Sequence, residues 1–274
     1  MKERRVWLAG VLGAIEGGLG FLYVGRPGWA IAWLVLPFVA VAMIAWSRMI
    51  FHVWGMALLP VFAVGFWLTG VVLPILIARR TGTVELRRWQ RWYIYLGFWV
   101  VAAAIGAAER EWRGPLLGFE TFRIPSMSMK DTLLPGDFIL TDDWAYTSGN
   151  VPKRGDIVVY RAGNGPSDTF VKRVMGLPGE LLEIKQGVLY INGSPIGEPY
   201  VAPGNNLHTM QQELRYQVPQ GAFYVLGDAR DSSNDSRYMG PVVASDILGR
   251  GEVIWMSWDS KAGIRSDRIG MRLH

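Results

Sequence analysis

Between residue 6 and about residue 108 the chain is dominated by long apolar runs, and they limit its possible folds more than any other feature. The clearest are Gly28–Trp46, Val53–Ala78 and Trp92–Ala108. Each approaches the roughly 20 apolar residues with which an α-helix spans hydrocarbon, satisfying every backbone N–H and C=O within itself. Trp and Tyr stand near the ends of the runs, where headgroups would be. Half of the 274 residues are hydrophobic and the mean hydropathy is +0.19, which excludes disorder and low-complexity arrays and argues for a membrane component.

The arginines orient these spans. The link from Arg79 to Arg91 holds Arg79, Arg80, Arg87, Arg88 and Arg91, and by the positive-inside rule it is cytoplasmic. The last span therefore leads outward, and everything after about residue 112 is expected on the extracytoplasmic face. The start, Met1-Lys2-Glu3-Arg4-Arg5, is also basic. A weaker run, Val6–Gly25, carries Glu16 and Gly17-Gly18-Leu19-Gly20. If it crossed, the basic start would lie outside, against the rule. A re-entrant or hairpin segment there keeps both basic stretches inside and leaves three crossing spans. A cleaved secretory signal is not expected, because further spans follow at once and no small-x-small site follows the run. Glu16 reads as an interfacial carboxylate paired with Arg26, the alternative being an ion or proton path. These features predict a polytopic membrane region at 1–112 and a second domain at 113–274.

The formal charge of +5 comes from 28 basic and 23 acidic residues. Arginines flanking spans account for such an excess without a nucleic-acid partner. With no cysteine, disulfides, zinc–thiolate sites, iron–sulfur clusters and a cysteine nucleophile are all excluded. Three histidines, His52, His208 and His274, give no His-rich metal site, so neither metal nor cofactor is expected.

Residues 120–274 show short alternating runs broken by turn residues, the pattern of an all-β domain. Strands are expected at Phe138–Leu140, Asp156–Tyr160, Thr169–Met175, Leu181–Ile184, Val188–Ile191, Ala222–Leu226 and Glu252–Met256. Asn192-Gly193 is a hairpin signal and Leu177-Pro178-Gly179-Glu180 another turn.

Elimination narrows the chemistry. A Ser–His–Asp triad needs a histidine here, and His208 sits in a polar loop while His274 ends the sequence. A serine nucleophile would then need a lysine base. Lys172 lies mid-strand in Phe170-Val171-Lys172-Arg173-Val174-Met175, on the face of Phe170 and Val174 by period two. Desolvation there lowers an amine's pKa until it can accept a hydroxyl proton. From this segment alone, an edge-strand lysine reaching to water reads equally well. Ile124-Pro125-Ser126-Met127-Ser128-Met129 offers Ser128 as nucleophile, with the Ser126 hydroxyl and the Ser128 N–H as oxyanion donors. In Gly227–Gly240, Asp231, Ser233 and Asp235 imitate the start of a calcium loop. Ser236 stands where its glycine belongs and Val242 where its glutamate belongs, so calcium is rejected.

Together, in order, these segments resemble type I signal peptidases (leader peptidases), the membrane-bound Ser–Lys endopeptidases. Ile124–Met129 is similar to their I-P-S-x-S-M box, and Gly136-Asp137-Phe138-Ile139-Leu140 to the strand that follows it. Arg154-Gly155-Asp156-Ile157-Val158-Val159-Tyr160 resembles their R-G-D strand, and Phe170–Gly179 the general-base box. Gly227–Gly240 is similar to G-D-N-x-x-x-S-x-D-S-R-x-x-G, and the likeness covers about residues 120–257. The resemblance implies Ser128 as nucleophile, Lys172 as general base and Ser126 as oxyanion donor. It implies that Ser233 orients the Lys172 amine and that Asp235 and Arg237 pair to hold their loop. Ile124, Pro125, Met129, Leu133, Phe170 and Val171 would line small apolar substrate pockets. The implied fold is a signal-peptidase-like β-barrel, the implied substrates are signal peptides cut after an Ala-x-Ala pattern, and the implied surroundings are the bilayer near the export translocon. Asp131 departs from the family's usual proline, Ala229 from asparagine and Met127 from a frequent glycine, and the extra spans exceed the family's one or two. Other readings are pilin or conjugation-factor maturation with the same dyad, a non-catalytic membrane-anchored scaffold and, more remotely, a self-cleaving repressor.

Overall fold

The computed structural model describes residues 2–3, 5–81, 83–84, 88–147, 149–162 and 169–273. His274, Gly82 and residues 85–87 of the basic link lie outside the described residues. The chain divides into two compact units, Met1–Leu117 and Gly118–His274.

The first unit is helical. Val6–Ile15 forms α1, Gly17–Tyr23 α2, Pro27–Trp46 α3, Val53–Thr81 α4 and Trp92–Leu117 α5. Two of these, α3 and α4, are long and apolar enough to cross a membrane, with mean hydropathies of 2.2 and 2.4. The third expected span, Trp92–Ala108, is a shorter apolar stretch at the start of α5. Prolines lie inside α3 and α4, at Pro37, Pro60 and Pro74. Such prolines are tolerated in apolar helices where neighbours satisfy the freed carbonyls.

The run Val6–Gly25 does not form one helix. At Glu16 the backbone is extended, with φ −157° and ψ 117°, and the chain turns back. The Tyr23 hydroxyl, at the end of α2, accepts from the Arg5 N–H just before α1, at 3.0 Å. The Gln90 side chain donates to the carbonyls of Leu22 and Tyr23. Lys2–Glu3 (β1) pairs antiparallel with Thr83–Val84 (β2), so the chain start and the basic link lie side by side. The α1–α2 hairpin therefore returns to the end from which it set out. Glycine permits this close packing: a Cβ on Gly13 would lie 2.4 Å from the Gly70 carbonyl oxygen, and one on Gly17 2.3 Å from the Trp33 ring. The Trp67 indole donates to the Ala14 carbonyl, which the broken helix leaves open. Among the described residues no ion pair joins Glu16 to Arg26, contrary to expectation.

The second unit is β-rich. Its strands are β3 (Phe119–Arg123), β4 (Asp137–Asp142), β5 (Ile157–Arg161), β6 (Thr169–Gly176), β7 (Leu181–Lys185), β8 (Val188–Ile191) and β9 (Ser194–Pro195). They continue with β10 (Leu214–Gln217), β11 (Ala222–Leu226), β12 (Val242–Val243), β13 (Ile247–Asp259) and β14 (Gly263–Ile264). The main sheet runs β12-β11-β6-β5-β13-β4-β3, with β14 on β13, and a smaller sheet runs β10-β7-β8-β9. Shifts of register along β13 curl the main sheet, as bulges do. Its path is open from β12 to β3 among the described residues, a coiled sheet rather than a closed barrel. Asn192 and Gly193, with φ 51° and 82°, make the β8–β9 turn, as a primed hairpin turn requires. One apolar core lies beneath the Ser128 turn, built from Ile124, Met129, Leu133, Ile139, Ile157, Val159 and Ile254.

Candidate active site

Two strands and two loops assemble the site. Lys172 sits at the middle of β6, opposite Val158 of β5, with β11 on the other side. It is thus on a central strand, and only 3% of it is exposed. Its Nζ lies 2.9 Å from the Ser128 Oγ and 3.1 Å from the Val171 carbonyl oxygen. The Phe170 ring, two residues back on the same face, has its centroid 5.8 Å from Nζ. Burial lowers the amine's pKa to about 8, while the negative charges of Asp235 and Asp228 act in the opposite direction.

Ser128 is held from beneath and behind. Met129 and Leu133, both buried, pin the inner side of its turn in the core, and the Leu133 N–H closes on the Met129 carbonyl at 2.7 Å. The Ala229 N–H donates to the Ser128 carbonyl at 3.1 Å. The Ser126 Oγ is 3.2 Å from the Ser128 Oγ and sits on an exposed residue, where it can rotate. One hydroxyl therefore touches both a buried amine and a second hydroxyl.

The loop after β11 carries the remaining polar residues. Asp235, fully buried, accepts from the Gly227 N–H and pairs with Arg237 through both oxygens at 2.9 Å. It also caps the short helix α6 (Ser236–Met239). Ser233 is buried, but its Oγ has no hydrogen-bond partner among the described residues and makes no bond to Lys172. Asp231 accepts from the N–H groups of Leu207 and His208, whose side chains are exposed. Of the residues read as pocket lining, Ile124, Met129 and Leu133 are buried in the core, Pro125 is exposed, and Phe170 and Val171 are half-buried.

Sequence reasoning assigned no role to the ion pair behind the site. Arg173, one residue from the lysine, is 1% exposed and grips Asp228 through two bonds, at 2.9 and 2.7 Å. Thr132 donates to the same carboxylate, and the Arg173 guanidinium lies 3.9 Å over the Tyr200 ring. Arg230 is likewise buried and forked onto Glu198. Arg173 falls beside Val171 and Met175 on the other face of β6 from Lys172, a charge among apolar residues that signals the first pair, whereas Glu198 carries no signal in the sequence.

A family model described as "Signal peptidase, peptidase S26" matches residues 93–258. Signal peptidase I of Pseudomonas aeruginosa is 34% identical over 186 residues, covering 51% of this chain and 65% of that protein. Signal peptidase I of Bacillus caldolyticus is 33% identical over 174 residues, covering 60% of this chain and 88% of that protein. A solved signal peptidase I from Enterococcus faecalis is 34% identical, covering 37% of this chain and 97% of that one, with a TM-score of 0.30. The matched stretch spans 65% of the Pseudomonas aeruginosa protein's length, under two thirds of it.

Proposed function

The chain belongs to the signal peptidase family, peptidase S26, and from that premise we propose that it is a membrane-anchored serine endopeptidase that removes signal peptides from exported preproteins. The observation that carries the reading is the 2.9 Å contact between a buried amine and the Ser128 hydroxyl. Once Lys172 is neutral, that hydrogen bond reverses and Ser128 donates to the lone pair. As the Ser128 Oγ attacks the scissile carbonyl, its proton passes to Nζ. The Ser128 N–H and the Ser126 hydroxyl receive the developing oxyanion. The ammonium then protonates the leaving amine, and the same lysine activates a water to hydrolyse the acyl-enzyme. Asp235 and Arg237 brace the loop opposite, with Ser233 beside them, while Pro125, Phe170 and Val171 line the cleft for small apolar residues. An extended substrate adds to the site as a strand. The test is cleavage of a preprotein by the full chain in detergent, with the product's new N-terminus sequenced. A cut after an Ala-x-Ala site supports the reading, and an intact preprotein overturns it.

The mechanism fixes a pH dependence. Only the uncharged amine accepts the proton, and that form gains ground as pH rises through about 8. The rate is expected to climb with pH to a plateau above that value. Phe170→Ala admits water to the amine and moves the limb upward, toward the roughly 10.4 of a free lysine. A pH–rate profile that is flat from pH 6 to 10 would contradict this.

The same reading places the protein in the cytoplasmic membrane, three spans deep, with the catalytic domain on the extracytoplasmic face near the translocon. The pairing of β1 with β2 and the returning α1–α2 hairpin support a re-entrant first segment. The absence of native cysteines makes this measurable. A cysteine placed at Ser47, between α3 and α4, should react with an impermeant thiol reagent added to intact cells. One placed at Arg88 should react only after permeabilisation, and labelling of both from outside would reject the topology.

A further inference from the structure

Asp131 is one of the few non-glycine residues with positive φ, at 78°. A proline, fixed near φ −65°, cannot occupy that backbone. The turn after Ser128 is thus held here by other means than a ring. The Asp131 carboxylate accepts from the Asn205 side-chain amide at 2.6 Å. The Asn205 carbonyl in turn accepts from the Asp231 N–H at 2.9 Å, and the Asp231 carboxylate holds the Leu207 and His208 N–H groups. Asp231 lies two residues after Ala229, whose N–H holds the Ser128 carbonyl. The result is a closed ring, from the nucleophile turn to the 202–208 loop, to the 228–237 loop and back to Ser128.

We propose that Asp131 and Asn205 form a strap that positions the Ser128 turn for attack, the role a rigid proline would otherwise fill. They are positioning residues, acting through the turn rather than on the substrate. A charge-assisted hydrogen bond is the right tool, because Asp tolerates the left-handed region while its side chain still reaches a partner. A reacting atom misplaced by about 1 Å loses up to about 10² in rate. The strap should therefore act on kcat rather than on KM.

The inference rests on the peptidase reading, and a double-mutant cycle on the full chain separates the two. Wild-type cleavage of a preprotein tests the reading itself. Asn205→Ala and Asp131→Gly should each lower kcat about tenfold with KM within twofold, although glycine relieves the left-handed backbone. The double variant should be no slower than either single one. Asp131→Asn, which keeps the backbone preference and an acceptor, should stay within about threefold of wild type, and thermal midpoints check that all variants fold. The strap is refuted if wild type cleaves and Asn205→Ala matches it, if Asp131→Gly is as fast as wild type, or if the two losses multiply in the double variant.

Discussion

Replacing Lys172 by alanine, or Ser128 by alanine, is expected to lower preprotein cleavage by at least about 10³-fold, to near background. The two groups act as one unit, so the double variant should be barely worse than either single one. The expectation follows from how the contact is built. Ser128 has a hydroxyl that at neutral pH attacks nothing unaided, and the amine 2.9 Å away is the base the geometry offers. His208 makes no substitute, because its backbone is bonded to Asp231 and its ring lies at the surface. Ser126→Ala should fall between wild type and these variants, losing about 10²–10³ as the removal of one oxyanion donor does. Initial rates with a fluorogenic preprotein, followed by sequencing of the product, measure all four. Cleavage by Lys172→Ala within tenfold of wild type would exclude the dyad.

Asp228→Ala is expected to be the most damaging substitution for stability. Arg173 is 1% exposed and bonded to Asp228 by two hydrogen bonds, and removing the acid takes both of them, and that carboxylate's charge, from a buried guanidinium. Breaking such a pair from one side typically costs about 3–5 kcal/mol. For a domain of this size that is roughly 6–20 °C in thermal midpoint. The Lys185–Glu183 pair is the internal control: the lysine is 53% exposed, and such pairs are worth about 0–1 kcal/mol. Circular dichroism melts of the full chain in detergent, Asp228→Ala beside Lys185→Ala, give the comparison. Equal midpoints for the two variants would show that the buried pair does not hold the fold.

Local chemistry was legible where residue type and spacing were enough. Six of the seven expected strands fall within observed ones and the seventh, Asp156–Tyr160, begins one residue before β5, because their alternation and turn residues act over a few neighbours. What escaped depends on partners distant in the chain. Leu214–Gln217 alternates as well, but over only four residues, and is fixed as β10 by pairing with β7. Of Ile247–Asp259 only Glu252–Met256 was expected as strand. In the fold a Cβ on Gly249 would lie 2.8 Å from the Asp143 carboxylate, so glycine there admits a close neighbour rather than ending the strand. At the site, Ser128 and Lys172 stood out by type, burial phase and order. Glu198 and Asn205 did not, because each is defined only by the arginine or aspartate that another loop brings to it.

The buried amine also has a bearing on the history of such chains. Its pKa is about 8 rather than 10.5, so between those values the unfolded chain keeps a proton that the folded one has released. Stability rises with pH across that window, and below it the fold carries the whole penalty, on the order of 3 kcal/mol. A methionine of similar reach would remove the burden and, on the proposed mechanism, take away the base. If the proposed reaction is right, a lysine here is held by demand for the cut against a substitution that would make the fold sturdier.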